Sequence, residues 1–212
     1  MRYLKNFDFF IEGISVPDSN IAEIIRCKDL NEEEFLDILK SNCKNFSFQN
    51  DLLWRSKGKR GGDFELFEPN PRRAVPVAFP KFFNRIKDDP NFPVKRQNSL
   101  IGGTNKNYLE RLVGEHMWLV IPFDDSQIVF CPIVDLWALD DKRRESTEKV
   151  AGKEVSGENF IMKPYISNFQ VPMSELEKLP KANTTNGVEF FTFSPCLLVH
   201  DSKVDWLKTH LQ

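Results

Sequence analysis

The chain has 212 residues, 41% of them hydrophobic and 28% charged, with a formal net charge of -2. That length can bury a sizeable core, and the charge balance excludes a polycation built to coat nucleic acid. Nineteen phenylalanines against three tyrosines suit a sheet-containing core. Cys27, Cys43, Cys131 and Cys196 form no CxxC pair, and His116, His200 and His210 do not group with them. A structural zinc site and a disulfide-stapled secreted domain are therefore not expected, and reduced thiols in a cytoplasm are. The opening MRYLKNFDFFIEG is too acidic for a signal peptide, and no run approaches the length of a membrane span.

Along the chain, residues 17–27 read as a short helix. Asn31 can cap a second one. Glu34 stands where a capping box needs it, acids crowd the first turn, and Phe35, Leu36, Ile38 and Leu39 lie on one side. Residues 1–50 are thus expected to be a helical, acid-rich N-terminal part, with residues 51–212 sheet-rich. LLWRS is a brief apolar strand ending in Arg55 and Ser56, followed by a glycine-rich break. The proline-punctuated FEPNPRRAVPVAFP then forbids a regular helix. The segment 57–96 is basic; it can meet the phosphates of a dinucleotide or a nucleic acid, or be a solvated surface.

RQNSLIGGTN reads as a strand into a turn, and NKNYLERLVG as a short helix with Gly114 at its end. HMWLVIPF and QIVFCPIVDLW read as two strands of a hairpin, turned at Asp124–Asp125–Ser126. Residues 139–159 are polar and nearly free of large apolar groups, which predicts an exposed mobile loop. FIMKPYISNFQVP is strand-like, and Ser174 caps a short helix. NGVEFFTFSPCLLVH gives two strands broken at Ser194–Pro195, and SKVDWLKTHLQ an amphipathic helix. Helices first and many short strands after favour a single α+β domain over a doubly wound parallel sheet. No GxGxxG or Walker sequence follows a strand, so neither a Rossmann nor a P-loop site is supported.

Three segments remain once core positions are set aside: Leu52–Leu53–Trp54–Arg55–Ser56, Asn98–Ser99–Leu100–Ile101 and Gly187–Val188–Glu189–Phe190–Phe191. His116 and His200 have no nucleophile motif nearby, which disfavours a hydrolase triad. Asp124, Asp125, Asp135, Asp140 and Asp141 would suit a magnesium nuclease, but fit turn and loop positions better.

In their order the three segments resemble the arginine–serine–glutamate pattern of mono-ADP-ribosyltransferases, most closely the small phage-encoded Mod-type enzymes. The resemblance covers roughly residues 50–200 and implies a mainly antiparallel split sheet, with NAD as substrate and no metal. Glu189 would then be catalytic, its carboxylate bonding the ribose 2′-hydroxyl and stabilising the oxocarbenium-like centre. Arg55 would hold the pyrophosphate or the adjoining ribose through its fork of donors. Ser99 would position the strand wall and the nicotinamide ribose, and Tyr108 or Trp118 would stack on nicotinamide. The serine strand departs from the family's Ser-Thr-Ser, with Thr104 arriving only after two glycines. Gly187 stands where arginine-modifying members carry Glu or Gln, so the acceptor could be another side chain, a base or water.

Each residue also has a structural reading. Arg55 can be the first charge after a buried strand, Ser99 an ordinary strand residue, and Glu189 a glutamate facing outward from an edge strand. Two functions follow. The first is a transferase whose protein or nucleic-acid acceptor meets the basic segment 57–96 and the loop 139–159. The second is a non-catalytic phage or bacterial binding protein that inhibits a host or defence factor.

Overall fold

The Asn31 side chain accepts the Glu34 amide at 2.9 Å, and Glu34 accepts the Asn31 amide at 3.0 Å, closing the capping box. The helix so started, α1 (Glu32–Asn42), buries Phe35 and Leu39 and packs Leu36 and Ile38 against the same core. The computed structural model describes residues 27–50, 52–57, 62–69, 99–113, 116–130, 148–150, 153–155, 165–167 and 187–211. Most of the basic segment, Asp135, Asp140, Asp141 and the helix expected at Ser174 lie outside them.

The other elements are β1 (Cys27–Leu30), β2 (Leu53–Ser56), β3 (Phe64–Phe67), β4 (Leu100–Gly103), α2 (Lys106–Val113), β5 (Met117–Pro122) and β6 (Ile128–Phe130). They are followed by β7 (Glu148–Val150), β8 (Lys153–Val155), β9 (Tyr165–Ser167), β10 (Glu189–Thr192), β11 (Cys196–His200) and α3 (Val204–His210). Nine strands make one sheet in the order β1-β3-β11-β5-β2-β4-β10-β6-β9, and every described ladder is antiparallel. The protein is therefore a mixed α+β chain with an antiparallel sheet.

Strand alternation sorts the core into two faces. One holds Trp54, Phe64, Met117, Leu119, Ile121, Leu197 and Val199, and α1, α2 and α3 cover it through Phe35, Leu39, Leu109, Val204 and Leu207. The Phe35 and Phe64 ring centroids lie 4.6 Å apart and those of Phe64 and Trp206 4.9 Å apart, locking α1 and α3 onto β3. The opposite face holds Leu53, Phe67, Leu100, Trp118, Val120, Ile128, Phe130, Val188, Phe190, Cys196 and Leu198.

Four expectations change. Cys27, expected as the last residue of a helix, instead opens the strand Cys27–Leu30, which pairs along its length with β3; residues 17–26 lie outside the described residues. The strand FELF was not expected at all. β5 and β6 are both strands but do not form a hairpin: β5 lies between β11 and β2, and β6 between β10 and β9. Asp124 instead accepts the Lys44 and Asn45 amides at 2.9 Å each and donates its own to Asn42 O at 2.7 Å, tying the connection to the end of α1. Within the segment read as a loop, β7 and β8 pair as an antiparallel ladder.

Candidate functional site

The three segments that carry the resemblance fall on neighbouring strands. β4 lies between β2 and β10, with Gly103 in register with both Trp54 and Glu189. Glycine at position 102 makes this close approach possible. A Cβ on Gly102 would run into Trp54 O and stand 2.6 Å from the Phe190 ring. The entry to β10 is fixed by a two-way bond: the Thr104 amide donates to Val188 O at 3.1 Å, and the Val188 amide donates to Thr104 Oγ1 at 3.0 Å. Gly187 precedes it at φ 81°, in the left-handed region that glycine adopts without strain.

Glu189 is 2% exposed, so it is not the solvent-facing edge residue that a structural reading foresaw. Its register with Gly103 and Trp54 puts it on the helix-covered face, and α2 lies over that position, since Leu109 meets the Gly103 site at 3.5 Å. Tyr108, half-buried, belongs to the same helix, which Asn105 caps by accepting the Tyr108 amide at 3.0 Å. Lys106 stands 5.2 Å from the Trp54 ring centroid and pairs with Asp201 at 3.1 Å and Glu110 at 3.4 Å. Its burial lowers the ammonium's pKa, but the bonds to Asp201 and Glu110 outweigh this and raise it above its ordinary value.

Arg55 is 9% exposed and donates from Nη1 to Ile101 O at 3.3 Å. β2 and β4 share a single register pair, Trp54 with Gly103, and the Arg55 guanidinium reaches across to β4 beyond it. Arg55 pairs with Trp118 on β5 and follows Trp54, so it leaves the sheet on the face opposite Glu189. Ser99 precedes β4, at the end away from Gly103, roughly 13 Å along the strand. The structure thus brings the three segments together in the sheet but does not bring Arg55, Ser99 and Glu189 onto one face.

The Arg55 face carries a polar group that sequence reasoning did not assemble. Lys57 ion-pairs with Glu65, which is 1% exposed, and its Nζ stands 4.5 Å from the Trp118 ring centroid. His200 meets the Trp118 ring edge-on at 5.1 Å, and His116 lies 5.7 Å from His200 between ring centroids. His200 Nδ1 is 2.7 Å from Ser202 Oγ. Cys27 borders this group: burial pushes its thiol up to about 11, helped by the Glu65 carboxylate and opposed by Lys57 and Arg55. Lys57, the first residue of the segment read as basic, is committed to Glu65. The usable clue was Glu65 within the apolar FELF, where a carboxylate inside a strand demands a cation.

Comparison with protein-family models, with curated proteins and with solved structures finds no match to this chain. Two arrangements are available: a buried carboxylate beside a glycine-lined strand junction, and a cationic group with one internal carboxylate on the reverse face. Among the described residues no cluster of three or more His, Cys, Asp or Glu is placed to hold a metal.

Proposed function

We propose that the protein is an NAD-dependent ADP-ribosyltransferase that passes ADP-ribose to a macromolecular acceptor and releases nicotinamide. One observation carries the reading: segments centred on Arg55, Ser99 and Glu189, far apart in sequence, occupy the adjacent strands β2, β4 and β10, with Glu189 buried at the junction. Arg55 and Glu189 flank β4 from opposite faces of the sheet, so the reading gives catalysis to Glu189, whose carboxylate accepts the ribose 2′-hydroxyl. The nicotinamide nitrogen–C1′ bond breaks with its electron pair leaving on nicotinamide. The acceptor attacks C1′ and gives up its proton, and the carboxylate stabilises the charge between those events.

Gly187 narrows the acceptor. A Cβ there would meet Thr104 Oγ1 at 2.7 Å and Asn105 N at 2.8 Å, so the Glu or Gln that arginine-modifying members carry has no room. An acceptor other than arginine fits this junction better. Placing Arg55 and Glu189 on opposite faces favours the second reading, a binding protein without turnover.

Incubation with NAD labelled in the adenylate part, together with cell extract, separates the two. Nicotinamide release and label transfer that fall at least a hundredfold in Glu189→Gln support the transferase, by analogy with the loss of one transition-state contact. Absence of both release and NAD binding assigns the protein to the binding class.

A further inference from the structure

Glu189 is 2% exposed, so a ligand can touch its carboxylate only if what covers it moves. Glu189, Gly103 and Trp54 stand in one row across β10, β4 and β2, and registered partners share a face of the sheet. The two ends of the row are roughly 10 Å apart, two strand spacings. Its middle member has no side chain, and Leu109 Cδ1 and Cδ2 both lie 3.5 Å from where a Gly103 Cβ would stand. Leu109 of α2 therefore plugs a notch with an indole on one side and a carboxylate on the other. Lys106, one helical turn earlier, lies 5.2 Å from the Trp54 ring centroid.

α2 is held lightly. α1 buries Phe35 and Leu39, and α3 buries Val204 and Leu207, whereas no residue of α2 from Lys106 to Arg111 is fully buried. A tie to the rest of the fold is the pair of Lys106 Nζ with Asp201 at 3.1 Å, whose side chains are 32% and 28% exposed. Ion pairs at such exposure are weak and screened by salt. An element with few buried contacts opens before the rest of the chain does.

We propose that α2 is a lid on Glu189: Leu109 fills the notch while the Lys106–Asp201 pair is closed, and its withdrawal uncovers the carboxylate and the Trp54 indole together. In the closed form the protein's own leucine occupies the space a ligand needs, so loosening the latch speeds access to Glu189. That the ligand is NAD rests on the transferase reading; the lid itself rests on the burial of Glu189 and the seating of Leu109.

The test joins two measurements on the full chain, hydrogen exchange and carboxylate amidation with a carbodiimide and glycine ethyl ester, each read by peptide mass spectrometry. In Asp201→Asn, the α2 amides should exchange and Glu189 should amidate about threefold faster, in step, as the loss of one weak ion pair allows. The amides of α1, and Glu65, 1% exposed on the reverse face, are the references against which both are read. Raising salt to about 0.5 M should move both signals the same way in the unmodified chain, which decides the matter if Asp201→Asn does not fold. Neither signal moving, or one moving without the other, overturns the lid. Coupled signals in a chain that releases no nicotinamide from NAD keep the lid and remove the transferase. Glu189-dependent release without the coupling does the reverse.

Discussion

Lys57 follows an apolar strand, and its sequence context gives no hint that it turns inward. Its pairing with a carboxylate 1% exposed makes the two residues interdependent. Lys57→Met leaves the Glu65 charge buried without a cation and is expected to cost about 3 kcal/mol. Joint replacement by Lys57→Met and Glu65→Leu should recover most of that loss in urea titrations; a double variant no more stable than the single one would contradict the pairing. Cysteine chemistry follows the same burial logic. Burial raises Cys27 to about 11 and, with the Asp124 charge, Cys43 to about 12; it carries Cys196 well above its ordinary value. Thiolate is the reactive form, so iodoacetamide at pH 8 should label these three about a hundredfold more slowly in the folded than in the urea-unfolded chain, read by peptide mass spectrometry.

At the scale of elements, caps and close approaches set the magnitudes. Asn31→Ala removes the capping box from α1 and is expected to lower stability by about 1 kcal/mol, seen as a lower denaturant midpoint with unchanged slope. Gly102→Ala forces a Cβ into the Trp54 carbonyl and should cost about 3 kcal/mol or prevent β2 from meeting β4. Local signals made α1, α2, α3 and most strands readable: Asn31 with Glu34 marks one helix start, and the alternation in HMWLVIPF and CLLVH marks buried strands. CKDL and FELF were missed because four residues, half of them charged in CKDL, carry too little periodicity; each becomes a strand by pairing with the other. The hairpin expected at Asp124–Asp125 failed for a related reason. A turn sequence fixes a reversal, not which strands become neighbours, and Asp124 spends its carboxylate on the end of α1. The site was legible as three segments in the right order. The face each side chain takes depends on register, which the one-residue alternation of a strand reverses.

For the whole molecule, the buried thiols link stability to alkali. Below pH 9 they are protonated in both folded and unfolded chains and make no difference. Between pH 9 and about 11 to 12 the unfolded chain ionises Cys27 and Cys43 while the folded chain holds their protons, so stability falls as pH rises through that window. A chain whose unfolding free energy stays flat from pH 8.5 to 11 in urea, with lysine effects controlled by Cys27→Ala and Cys43→Ala, would refute this.

The strand order has a further consequence for how the protein is made. β11, residues 196–200, inserts between β3, residues 64–67, and β5, residues 117–122, while β10 joins the far side of β4. The central gap therefore stays open in a nascent chain until residues near 200 have left the ribosome. Until then β3 and β5 present unpaired edges to whatever is nearby. Neither part of the sheet is a contiguous stretch of chain: β2 falls between β1 and β3 in sequence but pairs with β4 and β5. Synthesis should favour late, all-at-once closure and slow refolding, and truncations before β11 should be captured by chaperones instead of folding in part.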